Sequence, residues 1–95
     1  MKINKTVKVP KGKLLTIKSE ITNNKIFSLK ITGDFFVYPE EGLCIIENSL
    51  INTNYEKEKV KKNLIKILKT HKIKLFGLTI DSIINCLFYE SPINY

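Results

Sequence analysis

The sequence predicts a two-layer α+β domain, in which a small antiparallel sheet packs against two to three helices. The first third of the chain alternates apolar and polar residues, as strands with one buried face do. The second half repeats apolar residues at helical spacing. Strands that precede helices, rather than alternate with them, are typical of this class. A length of 95 residues with 43% hydrophobic and 26% charged residues fits one small globular domain.

The strands are predicted from their alternation. Ile3 and Val7 belong to an edge strand that ends at Pro10, with Lys5 as an exception on the same face. Two further strands form a hairpin around residues 22–25, where asparagine tolerates a positive φ. The predicted inward-facing residues of this hairpin are Leu15, Ile17, Ile21, Phe27, Leu29 and Ile31.

Two helices are predicted in the C-terminal half. Residues 53–71 carry an apolar stripe opposite several lysines, and Thr53 with Glu56 fits a capping box. His71, at the end of this helix, suits the helix dipole better than a catalytic role. A second helix follows Thr79, its expected N-cap. The two apolar faces comprise Val60, Leu64, Ile67 and Leu68, and then Ile80, Ile83, Ile84, Leu87 and Phe88.

The segment between these halves fits two structures. Pro39 suits the first position of a helix, and Glu40 and Glu41 suit its first turn. The apolar run at residues 43–46 also fits a short strand. We favour the helix, because apolar residues recur at helical spacing as far as Leu50.

Residues with obvious catalytic or metal-binding potential are few. One histidine and scattered acids give no ordinary metal-ligand spacing, so no metal site is expected. The sequence has no phosphate-binding loop, no nucleophile elbow and no Cys–His constellation, so no catalytic residue is predicted. Cys44 and Cys86 lie among apolar residues and outside any CxxC pair, so we expect two buried free thiols.

Charge and hydropathy restrict the partners. All 16 basic residues are lysine, and the lack of arginine argues against sequence-specific nucleic-acid recognition despite the net charge of +7. No apolar run approaches the roughly 20 residues of a membrane helix. The N-terminus has no signal-peptide pattern, which predicts a cytoplasmic protein.

The stretch ITGDFFVYPEE, residues 31–41, places three aromatic residues directly after a glycine and an aspartate. Gly33 indicates a sharp change of backbone direction, and Asp34 is expected to fix it by accepting backbone N–H bonds. Adjacent strand residues point to opposite sides. One of Phe35 and Phe36 can therefore face the core while the other faces outward, and the sequence leaves open which is which. Core packing of both is the alternative.

In their order along the chain, these motifs resemble the accessory, or C-terminal, domain of lipoate–protein ligases. The corresponding stretches are the turn at Gly12 and Lys13, Ile31 to Phe36, Pro39 to Glu41, and Gly77 to Asp81. The resemblance covers residues 6–88, and Gly-Asp-Phe-Phe is its most specific part. The family often has a glycine after a Glu-x-x-Leu turn, and this chain has Ile51 and Asn52 there. We therefore expect the asparagine to adopt the turn conformation in place of that glycine.

The resemblance implies a division of labour. In the family, a large domain binds ATP, Mg²⁺ and lipoate, makes lipoyl-adenylate and transfers the lipoyl group to a lysine of a carrier domain. The present chain begins with methionine and lacks that domain. The resemblance therefore implies a separate, non-catalytic accessory subunit that binds no cofactor of its own, forms a heterodimer with a catalytic subunit and meets the carrier only indirectly.

On this interpretation, residues 1–88 form the accessory domain and residues 89–95 a flexible tail. The resemblance implies that candidate contacts with the partner are Gly33, Asp34, Phe35, Phe36 and Tyr38. From the residues alone, the alternative is a small binding module for an acidic protein or a nucleic acid.

Overall fold

A three-stranded antiparallel sheet, a two-stranded antiparallel sheet and three helices make up the computed structural model, which describes residues 1–8 and 13–88. The elements are β1 (Lys2–Lys8), β2 (Leu14–Thr22), β3 (Lys25–Gly33), β4 (Phe36–Tyr38), α1 (Gly42–Leu50), α2 (Lys57–Thr70), β5 (Lys74–Phe76) and α3 (Ile80–Leu87). The predicted α+β class is confirmed. The predictions for Pro10, Gly12 and the tail at 89–95 lie outside the described residues.

The larger sheet has the strand order β1-β2-β3. Its central hairpin turns through Asn23 and Asn24, whose φ angles are 52° and 62°. Two consecutive positive φ angles define the turn type that matches the twist of a two-residue hairpin. The predicted asparagine turn is therefore confirmed.

A β-bulge changes which residues of β3 face inward. Glu20 pairs with Ser28 and Ile21 pairs with Ile26, so Phe27 is the extra residue between two successive pairs. Ile26 is consequently buried, and Phe27 is 63% exposed. The prediction that Phe27 faces the core is wrong, because one inserted residue reverses the alternation on its side of the bulge.

The three helices cover only the inner face of the sheet. Helix α1 packs on β3, α3 packs on β1 and β2, and α2 packs against both other helices. The fully buried side chains at their junction include Leu15, Ile17, Ile26, Ile31, Ile46, Leu50, Leu64, Ile83 and Leu87. None of the helices within residues 1–8 and 13–88 is long and apolar enough to cross a membrane.

The two cysteines differ in environment. Cys86 is buried, and its S–H donates to the Lys5 carbonyl at 3.4 Å. Burial raises the pKa of the Cys86 thiol. Cys44 is exposed on α1, so the prediction of a second buried thiol is wrong. Its position on the outer side of a helix decides its exposure, despite its apolar sequence neighbours.

The helix ends agree with the sequence only in part. At α3, Thr79 is the N-cap as predicted, because its Oγ1 accepts a bond from the Ser82 N–H at 3.0 Å. Helix α2 begins at Lys57 after Glu56, so the predicted capping box is wrong. Thr53 is instead buried, and its hydroxyl oxygen accepts a bond from the Asn63 side chain at 3.3 Å.

The segment after Tyr38 forms a helix and not the alternative strand, but it starts later than predicted. Pro39 lies in the turn before α1, and its carbonyl accepts a bond from the Gly42 N–H at 2.8 Å. The predicted placement of Pro39 at the first helical position is therefore wrong, and Glu41 is the N-cap residue. The expected asparagine turn is found at Asn52, where φ is 70°.

Glu47 ties helix α1 to the outer edge of β3. Its Oε2 accepts a hydrogen bond from the Ile31 backbone N–H at 2.7 Å. We expect Glu47→Ala to lower the free energy of unfolding by about 1–3 kcal/mol, because the N–H at a partly buried strand edge loses its partner. Urea denaturation measures the loss.

Glu47→Gln is the matched control, because the amide keeps an acceptor oxygen at the same position. It should lose less than half as much stability as Glu47→Ala. Equal losses in the two variants would show that the hydrogen bond to Ile31 contributes little.

Candidate functional site

The end of β3 requires a glycine. The carbonyl of Leu14 accepts a bond from the Asp34 N–H at 3.0 Å, which holds the chain close to β2 as it leaves the sheet. Gly33 has a φ of 154°, and a Cβ added to it would lie 2.3 Å from the Leu14 carbonyl oxygen. The predicted special backbone position at Gly33 agrees with this geometry.

Asp34 has a different local role from the one predicted. Its carboxylate forms an ion pair with Lys13 at 3.6 Å, and the aspartate side chain is 75% exposed. Within the described residues, this carboxylate accepts no backbone N–H bond; its own backbone N–H supplies the bond at this turn. Among residues 1–8 and 13–88, the partner of this side chain is therefore Lys13 and not a backbone N–H.

The two phenylalanines point to opposite sides, which is the first of the two predicted alternatives, and the structure decides between them. Phe35 is partly buried and packs against the core. Phe36 is 67% exposed. Folding alone therefore accounts for Phe35, whereas an exposed phenylalanine such as Phe36 adds little to the core.

A second small sheet gathers further aromatic side chains around Phe36. Strands β4 and β5 pair antiparallel, with Phe36 opposite Phe76 and Tyr38 opposite Lys74. The Phe36 and Phe76 ring centroids are 5.2 Å apart. Tyr38 lies two residues after Phe36 and therefore on the same side of its strand. We name Phe36, Tyr38 and Phe76 the aromatic patch; all three side chains are exposed.

The sequence did not indicate Phe76. It lies in a three-residue strand, which is too short to show a period, and its partner is far away in the chain. The only local signal was the following Gly77, which has a φ of 78°. The opposite side of β4 holds Val37, which is buried, so the small sheet has one core side and one exposed aromatic side.

A shallow pocket of about 240 Å³ lies beside the aromatic patch. Its lining residues are Lys13, Asp34, Phe35, Phe36, Phe76 and Gly77. This volume is below the roughly 300–1,000 Å³ of typical small-molecule sites, but it can accept one side chain of a protein partner. Exposed aromatic residues around a small recess are typical of protein interfaces.

No cluster of metal-binding side chains adds to this site. Within residues 1–8 and 13–88, no three histidine, cysteine, aspartate or glutamate side chains come together in a way that could hold a metal ion. His71 is the C-cap residue of α2, at the place predicted for it.

A family model described as the bacterial lipoate protein ligase C-terminus matches residues 1–87. The chain belongs to this family. The resemblance inferred from the Gly-Asp-Phe-Phe stretch is thereby confirmed. No curated protein matches the chain.

The lipoate ligase C-terminal fold is also found among solved structures. One similar chain comes from a structure described as an archaeal lipoylation system, a bi-partite lipoate protein ligase and its E2 lipoyl domain from Thermoplasma acidophilum. The TM-score is 0.78 at 23% identity, and the similarity covers 95% of this chain and 98% of that chain. The two chains therefore share a fold over almost their whole lengths.

Proposed function

We propose that this chain is the accessory subunit of a bipartite lipoate–protein ligase, and that it is required with a separate catalytic subunit for ATP-dependent formation of lipoyl-adenylate. The observation that carries the proposal is the aromatic patch, an exposed apolar surface on a domain of this family. The similar Thermoplasma chain, from a bi-partite ligase, supports the division into two chains.

The aromatic patch is the surface we assign to the catalytic subunit. Exposed aromatic side chains gain most from burial in a partner, and they dominate the energetics of many interfaces. Gly33 and the hydrogen bond from Asp34 to Leu14 hold the start of β4 against the larger sheet. This support presents Phe36 and Tyr38 in fixed positions, which lowers the entropic cost of association.

The chemistry explains why such a subunit is useful. Lipoyl-adenylate is a mixed anhydride, so water that reaches it destroys it. A domain that closes over the reacting groups excludes water and holds the reactants together, and it then moves to admit the carrier. We expect ATP, Mg²⁺ and lipoate to bind the catalytic subunit, and this chain to act as the cover, in the cytoplasm.

The test separates the two half-reactions. The catalytic subunit alone should form little lipoyl-adenylate from lipoate and ATP, and addition of this chain should restore its formation. With preformed lipoyl-adenylate, the catalytic subunit alone should lipoylate its carrier at a substantial rate, because activation is already complete. The two proteins should also elute together from a sizing column at micromolar concentration. Equal adenylate formation with and without this chain would exclude the proposed role.

A further inference from the structure

The outer face of the larger sheet carries a group of lysines that none of the helices within residues 1–8 and 13–88 covers. Strands β1, β2 and β3 direct Lys2, Lys8, Lys18 and Lys30 to this side, and all four are exposed. We name these four residues the lysine face. The remaining outward positions include short polar side chains, such as Thr6 and Thr16, whose hydroxyl groups lie 2.8 Å apart in a hydrogen bond.

The arrangement of these lysines is unfavourable for the isolated sheet. Lys18 and Lys30 lie directly opposite each other on β2 and β3. Like charges in such cross-strand pairs destabilise a sheet. Glu20 is the one acidic side chain in the three strands, and it already forms an ion pair with Lys2 at 3.8 Å. Stability therefore does not explain the pairing of Lys18 with Lys30, whereas an anionic partner would.

The surface around this pair can admit a partner. A depression of about 340 Å³ lies there, and its lining includes Asn4, Ser28, Lys18 and Lys30. The short side chains of Asn4 and Ser28 let a facing surface approach the backbone, and the two flexible lysines can adjust to its carboxylates. Helix α2 also carries exposed lysines, and two of them have acidic partners: Lys59 pairs with Glu56 and Lys61 pairs with Asp81.

The lysine face is separate from the aromatic patch. Lys30 precedes Gly33 by three residues on β3, which is about 10 Å of extended strand. The aromatic patch belongs to the second sheet, β4–β5. The two surfaces therefore belong to different sheets and share no residue.

We propose that the lysine face docks the acceptor protein of the reaction, the carrier whose lysine receives the lipoyl group, through carboxylates on the surface of that carrier. This direct contact differs from the indirect one that the family resemblance implies. This inference rests on the proposed function, in which the catalytic subunit covers the aromatic patch. Complementary charge raises the rate of encounter and orients the partner. A protein suits this surface better than a nucleic acid, because the chain has no arginine for bidentate phosphate or base contacts.

The test uses the assembled pair of catalytic subunit and this chain, with the lipoyl carrier domain of the same organism as the probe. The variant Lys18→Glu/Lys30→Glu should raise the KM for the carrier about tenfold and leave kcat nearly unchanged, since only encounter and docking are weakened. The milder Lys18→Gln/Lys30→Gln should give a smaller rise. The rate of lipoyl-adenylate formation should not change in either variant.

The matched control is Lys62→Glu/Lys66→Glu, which makes the same change of net charge on exposed positions of α2. It should leave the KM for the carrier within about twofold of the wild type. Thermal melts show whether each variant is folded. An equal rise in the control, or no rise in Lys18→Glu/Lys30→Glu, would overturn the docking site.

Direct binding of the carrier domain to the assembled pair, measured by calorimetry, tests docking independently of the chemistry. Weaker binding of Lys18→Glu/Lys30→Glu, with normal binding of the α2 control, supports the site even if this chain proves unnecessary for adenylate formation. If that variant instead loses affinity for a single-stranded oligonucleotide and keeps normal carrier affinity, the surface binds nucleic acid and the proposal is wrong.

Discussion

Phe36→Ala is expected to weaken association with the catalytic subunit about 30-fold, because an exposed aromatic side chain at the centre of an interface typically contributes about 2 kcal/mol. Phe36 is 67% exposed and contacts Phe76, so its loss should reduce the stability of the isolated chain by no more than about 1 kcal/mol. Titration calorimetry measures the association. Restoration of lipoyl-adenylate formation should require correspondingly more of the variant chain.

Two further phenylalanines provide controls. Phe27→Ala removes a ring of similar exposure, 63%, from the bulge on β3, and should leave association unchanged. Phe35→Ala should instead lower the free energy of unfolding by about 2 kcal/mol or more, because Phe35 packs against the core. If Phe27→Ala weakens association as much as Phe36→Ala, the aromatic patch is not the specific interface.

Gly33→Val is expected to cost more than about 3 kcal/mol, a large part of the stability of a domain of this size. The new Cβ would lie 2.3 Å from the Leu14 carbonyl oxygen, and the same oxygen accepts the Asp34 N–H. A backbone shift that relieves this overlap therefore breaks the hydrogen bond from the Asp34 N–H to Leu14, which holds the segment before β4. Thermal melts should show the loss, and Gly33→Ala should show most of it, since alanine carries the same Cβ.

Asp34→Ala is the neighbouring control. It removes an ion pair between two exposed side chains, which is worth about 0–1 kcal/mol. Its melting temperature should be close to that of the wild type, and its backbone N–H remains available to Leu14. A Gly33→Ala variant as stable as Asp34→Ala would show that the chain can leave β3 by another path.

The features that the sequence predicted correctly have local causes. The hairpin at Asn23 and Asn24 follows from the tolerance of asparagine for positive φ. The start of α3 follows from a threonine hydroxyl within reach of a backbone N–H three residues later. At the candidate site, the special position of Gly33 and the opposite directions of Phe35 and Phe36 were also predictable, because both concern neighbouring residues.

The features that the sequence predicted wrongly, or missed, depend on distant partners. Phe27 faces solvent because of the register between two strands, which its own alternation cannot reveal. The expected capping box at Thr53 failed because that hydroxyl oxygen instead accepts a bond from Asn63 within α2. Phe76 was not predicted, because a strand of three residues is too short to show an alternation of apolar and polar residues and forms by pairing with β4.

By itself, the sequence determined the class of the fold, its central hairpin, the cap of α3 and the family to which the chain belongs. The tertiary structure decided which phenylalanine is exposed and which residues join it. The physical reason is that Phe36 and Phe76 become neighbours only through backbone hydrogen bonds between β4 and β5. Helices α1 and α2 lie between the two strands in the chain, so β4 and β5 meet only when α1 packs on β3 and α2 packs on α1 and α3.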